Sequence, residues 1–229
     1  MDSFKNKKQD SVILLSFLLV SWMLIVQIMF PSRLGVNICG ILWMDFFSFS
    51  GKNIFELIIS SISHANYSHL IGNIYGLLFF VVATNQPFKK YSYIEFFILF
   101  ISLGIISNGL SFVIYSAAAG EPISIIGSSG AVIGLYGYHF SKYMTSISLV
   151  KKENSYIPKL TFLDESINQY LLVGFTSFYI LLTVQQQLVT GLASVQTAHL
   201  AHIIGFVFGS FFFIVEYYKS ENKEKVDRL

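Results

Sequence analysis

The chain has 229 residues, of which 54% are hydrophobic and only 12% are charged, and its mean hydropathy is +0.62. This composition places it among integral membrane proteins. The formal net charge of +2 gives no indication of nucleic-acid binding. The single cysteine, Cys39, excludes an intramolecular disulfide framework and a thiolate metal site.

Six apolar segments are candidates for membrane-spanning helices, each of which needs ~20 mostly apolar residues. In chain order they cover residues 11–30, 64–83, 91–115, 125–140, 167–184 and 197–217. We therefore predict an all-α integral membrane protein built as a bundle of six transmembrane helices. The fourth segment is the shortest, which predicts a short helix that starts inside the membrane.

The basic residues predict the orientation of the bundle. Six spans place both termini on one side, and if that side is cytoplasmic, 13 of the 15 Lys and Arg residues lie in inner segments. Only Arg33 and Lys52 then lie outside. By the positive-inside rule, residues 1–10 are predicted to be a cytoplasmic N-terminus, 11–218 the membrane domain and 219–229 a cytoplasmic tail.

Two connections and the first segment complete this predicted topology. Residues 31–63 are apolar and include Trp43, so they are expected at the outer interface, where aromatic residues are favoured. Residues 141–166 are polar and contain Pro158, and they are expected to form a solvated cytoplasmic loop. The first segment is too long for a signal peptide and lacks a small-x-small cleavage site, so we expect a retained helix.

A glycine-and-serine turn, Gly127-Ser128-Ser129-Gly130, leads into the fourth segment. Free backbone N–H groups cluster at a helix N-terminus, and a serine placed there suits a nucleophile whose product is an oxyanion. Non-helical backbone at membrane depth also requires a water-filled cavity, which hydrolysis needs. The alternative is plain helix packing, because Gly130 and Gly134 have the spacing of a close-contact motif.

His202 lies in the middle of the sixth segment, and an ionisable group at bilayer depth is by default a functional-site hypothesis that needs a partner. Gly205 and Gly209 follow three and seven positions later and allow another helix to approach closely. If the fourth helix packs there, Ser129 comes within the ~2.6–3.2 Å of His202 that a general base requires. His199, three residues earlier, lacks this glycine face, and a packing role is the alternative for either histidine.

A third polar cluster opens the second segment. His69 and Asn73 are four residues apart and share a helical face. Two side-chain donors on one face suit the stabilisation of a tetrahedral oxyanion. His64 is expected to brace the neighbouring loop. A polar helix entrance near the interface is the alternative for this cluster.

In this order across six helices, the three clusters resemble the rhomboid family of intramembrane serine proteases. The resemblance covers roughly residues 60–210 and is carried by His64-x4-His69-x3-Asn73, Gly127-x-Ser129-Gly130 and Ala201-His202-x2-Gly205-x3-Gly209. It implies a Ser129/His202 dyad without an aspartate and an oxyanion hole made by His69, Asn73 and the Ser129 amide. It implies structural roles for the remaining motif residues His64, Gly127, Gly130, Gly205 and Gly209, and leaves Ser128 a bystander.

The resemblance also sets expectations for partners. The substrates would be transmembrane proteins in a lipid bilayer, at the cell membrane, with no cofactor, no metal and no nucleic acid, while the oligomeric state stays open. Access is implied beside the fifth segment, where the aromatic residues either gate the site or simply face lipid. These residues are Phe175, Phe178 and Tyr179.

Two departures from the family pattern affect the site. Many members carry an aromatic residue four positions after the nucleophile, stacked on the catalytic histidine, and here that position is Ile133. The family's tryptophan-arginine pair is not evident either, although Trp43 lies in the corresponding region. One alternative function is a rhomboid-like protein that binds client proteins. The other, a metal or proton carrier using the intramembrane histidines, is disfavoured because there is no inverted repeat.

Overall fold

The computed structural model describes residues 18–25, 49–51, 53–65, 67–83, 93–121, 123–152, 165–190 and 199–226. This part of the chain is helical throughout apart from its turns and one isolated bridge between Phe49 and Ile125. The seven helices are α1 (18–25), α2 (Ile54–Ser60), α3 (Tyr67–Ala83), α4 (Tyr93–Ala119), α5 (Ser129–Lys152), α6 (Glu165–Thr190) and α7 (His199–Val226). The predicted all-α class is confirmed for these residues.

Helices α3 to α7 coincide with the second to sixth apolar segments, and differ from them mainly in length. Helix α5 begins at Ser129, inside the predicted turn at residues 127–130, but runs for 24 residues to Lys152. The prediction of a short fourth helix was therefore wrong, and residues 141–152 are helical rather than loop. Hydropathy locates only the apolar part of a helix. Helix α5 continues beyond that part through a polar stretch, which has no glycine or proline to stop it.

The outer connection and the tail also contain helix. Helix α2 lies within the connection at 31–63, where no separate helix was predicted, and is capped by the side chain of Asn53, which accepts a hydrogen bond from the Glu56 backbone N–H at 2.9 Å. Helix α7 extends through most of the predicted tail. The predictions for residues 1–10, Cys39 and Trp43 lie outside the described residues.

Two described helical stretches are long and apolar enough to cross a membrane by themselves. They are Ile94–Ala119, with a mean hydropathy of 2.2, and His199–Lys219, with a mean hydropathy of 1.8. Within the described ranges, the remaining helices are shorter or carry more polar residues. Six spans therefore remain a prediction.

Helices α5 and α7 are packed backbone against backbone. A Cβ atom added to Gly205 would overlap the carbonyl oxygen of Gly130, and one added to Gly209 would overlap that of Gly134. The Ser210 hydroxyl also donates to the Gly137 carbonyl at 3.0 Å across this interface. Because no side chain separates the two helices, the residues at their N-terminal ends are brought together.

A hydrophobic core lies beside this helix pair. It is formed mainly by buried side chains of α3, α4 and α5, including Leu70, Leu77, Phe80, Phe96, Phe100, Leu103, Val132, Leu135 and Tyr136. Tyr136 also donates its hydroxyl to the Gly76 carbonyl on α3 at 2.8 Å. The core thus fixes α3 against α5 and sets the position of the polar face of α3.

Gly209→Ala is expected to destabilise the bundle strongly. The added methyl group would meet main-chain atoms of Gly134, which cannot move aside as a side chain can, and overpacking of this kind costs ~1–3 kcal/mol or more. Thermal unfolding in detergent measures the effect. Gly174→Ala in α6 is the matched control, since a Cβ there has no neighbour within 4 Å. Equal stability of the two variants would contradict the close approach of α5 and α7.

Candidate active site

Hydrogen bonds to residues elsewhere in the chain hold the turn that leads into α5. Ile125 pairs with Phe49 through N–H···O bonds of 2.8 and 3.1 Å. The Gly127 N–H donates to the Ser60 carbonyl at 2.9 Å, and the Gly127 carbonyl accepts from the Asn108 side-chain amide at 3.1 Å. Such groups would cost several kcal/mol each if left unsatisfied in a bilayer. Protein groups, and not only cavity water, therefore satisfy this non-helical backbone.

Position 127 needs a glycine for two reasons, its backbone conformation and the closeness of its neighbours. Its φ of 142° lies in a region that residues with a Cβ rarely adopt. A Cβ here would also lie 2.6 Å from His69 Cε1 and 3.1 Å from His69 Nε2, with Ser129 Oγ 3.6 Å away. The absent side chain therefore allows the imidazole of His69 and the hydroxyl of Ser129 to approach the same point.

Ser128 is tied to His64 within the protein interior. His64 Nε2 and Ser128 Oγ are 2.9 Å apart, and the two residues are only 4% and 0% exposed. The bond fixes the loop before α3 to the turn before Ser129. It also gives Ser128 a structural partner that the sequence did not reveal, because the two residues are 64 positions apart.

Four of the predicted site residues line a single cavity of about 610 Å³: Ser129, His202, His69 and Asn73. The remaining walls come from α3, α5 and α6 and are formed by Ser68, Gly72, Tyr75, Gly76, Phe79, Val132, Ile133, Tyr136, Phe175 and Tyr179. His64, Ser128 and His199 are not part of these walls. The residues predicted to form the dyad and the oxyanion hole thus line the cavity, whereas these other three polar residues do not.

Two hydrogen-bond donors belong to residues that line the cavity. Ser129 is the first residue of α5, so its backbone N–H precedes the first intrahelical bonds and has no helical acceptor. Asn73 is buried, and its side-chain NH₂ has no hydrogen-bond partner among the residues that the structure describes. An unpaired buried amide is costly unless a ligand supplies the acceptor. These donors can receive an oxygen that carries negative charge.

His202 is buried at the N-terminal end of α7, and its ring contacts α6. Its Nδ1 lies 3.1 Å from the hydroxyl oxygen of Tyr179, and the His199 ring lies edge-on to it at 6.2 Å. Among the described residues, the hydrogen bond of His202 is made to Tyr179 rather than to Ser129. Catalytic hydrogen bonds are often longer in unliganded enzymes and tighten when substrate binds.

Fold and cavity together define a helical membrane protein with a serine, a histidine and amide donors around one cavity. Comparison with protein families finds a match to the Rhomboid domain over residues 51–219, which include all four of these cavity residues. The chain belongs to the rhomboid family. Neither the curated proteins nor the solved structures contain a significant match.

Proposed function

We propose that the protein is an intramembrane serine protease that hydrolyses peptide bonds in or near transmembrane segments of other proteins. The observation that carries this proposal is the shared cavity of Ser129, His202 and Asn73. It combines a serine at a helix N-terminus, a buried imidazole and a buried amide without a partner. The rhomboid family, whose members are usually serine proteases, supports the same chemistry.

In the proposed reaction, His202 acts as general base and then as general acid. Its Nε2, the ring nitrogen that is not bonded to Tyr179, takes the proton from Ser129 Oγ as the oxygen attacks the peptide carbonyl. The resulting imidazolium then protonates the leaving amine, and the acyl-enzyme forms. Water hydrolyses the acyl-enzyme in a second step with the same proton transfers.

We assign the stabilisation of the negative charge on the tetrahedral intermediate to three hydrogen-bond donors. They are the Ser129 backbone N–H, the Asn73 amide and the His69 ring, whose residues line the same cavity. Donors that are already oriented toward developing charge stabilise a transition state without reorganisation. The same donors stabilise the neutral carbonyl of the bound substrate less than they stabilise the oxyanion.

A second serine and histidine pair in the structure is a weaker candidate. Ser128 and His64 are already hydrogen-bonded at 2.9 Å, whereas Ser129 and His202 are not. However, Ser128 has no exposed surface, and neither residue lines the cavity. A peptide bond cannot reach the Ser128 hydroxyl without opening the turn, so Ser129 is assigned as the nucleophile.

Substrate access is proposed between α3 and α6. Phe79 and Phe175 meet there edge to face, with ring centroids 5.7 Å apart, and both line the cavity. Phe178 is 61% exposed and is not among the residues that line the cavity, while Tyr179 contacts His202. Of the three aromatic residues predicted either to gate the site or to face lipid, we propose Phe175 as the one that closes this opening.

The proposed substrates are membrane proteins whose helices unwind easily. A regular helix keeps its peptide groups hydrogen-bonded internally, so cleavage is expected near helix-weakening residues close to the outer face. The location proposed is the cell membrane, with several spans and both termini in the cytoplasm. A purified full-length protein in lipid vesicles, given a substrate with one such helix, tests the proposal. Cleavage is expected, whereas stable binding without cleavage would favour a client-binding protein.

Asn73→Ala is expected to lower kcat with little change in KM, because the amide donates only as negative charge develops. Loss of one oxyanion donor costs ~10²–10³ in rate in soluble serine proteases, and His69→Ala should act in the same direction. Single-substrate kinetics in vesicles measure both.

Ser111→Ala is the matched control for Asn73→Ala. Ser111 is also buried, and its hydroxyl has no hydrogen-bond partner among the described residues. It lies in α4 outside the cavity walls, so the kcat of Ser111→Ala should be normal. If Asn73→Ala mainly lowered stability and its folded fraction were fully active, Asn73 would be a packing residue.

A further inference from the structure

Tyr179 stands where it can set the orientation of the His202 ring. Its hydroxyl oxygen lies 3.1 Å from His202 Nδ1, and the two ring centroids are 5.8 Å apart at an interplanar angle of 45°. Ile133, one helical turn after Ser129, lines the same cavity but has no group that can hydrogen-bond an imidazole. The polar contact that orients His202 therefore comes from α6 and not from α5.

The direction of this hydrogen bond decides whether His202 can act as a base. A neutral imidazole carries one proton, so one nitrogen donates and the other accepts. If Tyr179 donates to Nδ1, the proton is on Nε2 and no lone pair remains for Ser129. If Nδ1–H donates to the Tyr179 oxygen, Nε2 is free to accept the serine proton. The same Nδ1–H bond persists when the imidazolium forms.

Tyr179 is itself held in place by contacts other than His202. Its ring stacks on Phe175, with centroids 6.3 Å apart and an interplanar angle of 22°. Its backbone carbonyl accepts the hydroxyl of Thr183, a buried residue one turn later, at 2.9 Å. The side chain also packs against the hydrophobic core. The phenol is thus positioned before any substrate binds.

We propose that Tyr179 is a positioning residue that holds His202 in the tautomer with the proton on Nδ1. Its hydroxyl oxygen accepts that proton, and the α6 packing fixes the ring plane. Tyr179 thereby supplies from α6 the orientation that Ile133 does not supply from α5. The consequence for catalysis rests on the proposed protease function, whereas the consequence for the tautomer does not.

The tautomer is measured by ¹⁵N NMR of the full-length protein in detergent micelles with ring-labelled histidine. The His202 signals are identified by their loss in His202→Ala. Wild-type His202 is expected to be protonated at Nδ1, and Tyr179→Phe is expected to shift the population toward Nε2–H. An unchanged tautomer ratio in Tyr179→Phe would overturn the proposal.

Cleavage kinetics provide the second measurement. Tyr179→Phe keeps the ring and removes one hydrogen bond, so kcat is expected to fall about 3- to 10-fold, the range set by the net strength of such a bond, at unchanged KM. Tyr138→Phe is the matched control, because Tyr138 donates to Glu216 at 2.6 Å between α5 and α7, away from the cavity. It should lower stability and leave kcat per folded molecule unchanged.

The two measurements separate the positioning role from the proposed function. An active wild type whose kcat is unaffected by Tyr179→Phe would overturn the positioning role alone. A wild type that cleaves nothing, but shows the expected tautomer and its shift in Tyr179→Phe, would support the positioning role and overturn the proposed function.

Discussion

Ser129→Ala is expected to abolish cleavage of a transmembrane substrate while the bundle stays folded. The change removes the attacking oxygen and almost no volume, and the hydroxyl is not part of the hydrogen bonds that hold the preceding turn. Loss of the nucleophile costs on the order of 10⁶ in kcat in a soluble serine protease. Product formation in vesicles measures the activity, and thermal unfolding shows that the variant is folded.

Ser128→Ala is the control for this prediction, because it removes the neighbouring hydroxyl from a different environment. It leaves the buried His64 Nε2 without its partner, which should lower stability by ~1–3 kcal/mol. Cleavage per folded molecule should be largely retained. If Ser128→Ala were inactive and Ser129→Ala active, the nucleophile would be Ser128 and its base His64.

His202→Ala is expected to be inactive, whereas His199→Ala should only be impaired. His202 is buried in the cavity wall with Ser129, while His199 lies outside that wall, with its ring 6.2 Å from the His202 ring. Removal of the general base leaves the serine hydroxyl protonated at the moment of attack. The same cleavage assay measures both variants. The reverse order of activities would show that the helix face of α7 has been assigned wrongly.

The sequence predicted the parts of this molecule that depend on local pattern. Apolar segments located α3 to α7, and the predicted turn at residues 127–130 lies where α5 starts. The spacing of Gly205 and Gly209 predicted a close helix contact at the position where α5 and α7 meet. In each case a short run of residues determines the local backbone or its steric limits, so neighbouring residues in the sequence are sufficient for the prediction.

Other features depend on residues far apart in the chain and had no local signal. The bond of His64 to Ser128 and the contact of Tyr179 with His202 appear only when the helices are assembled. The bridge of Phe49 to Ile125 likewise joins an outer connection to the turn before α5. The sequence showed that Ile133 could not orient the histidine, but tertiary structure was needed to identify Tyr179 as the replacement.

The most direct test of the proposed dyad is labelling with a serine-directed fluorophosphonate, followed by mass spectrometry of the modified peptide. The reagent forms a covalent bond only with a serine whose hydroxyl is activated by a base. We expect the label on Ser129 in the wild type and in Ser128→Ala, with none in Ser129→Ala and very little in His202→Ala. Labelling of Ser128 instead, or equal labelling of Ser129 with and without His202, would contradict the assignment of Ser129 and His202 as the catalytic pair.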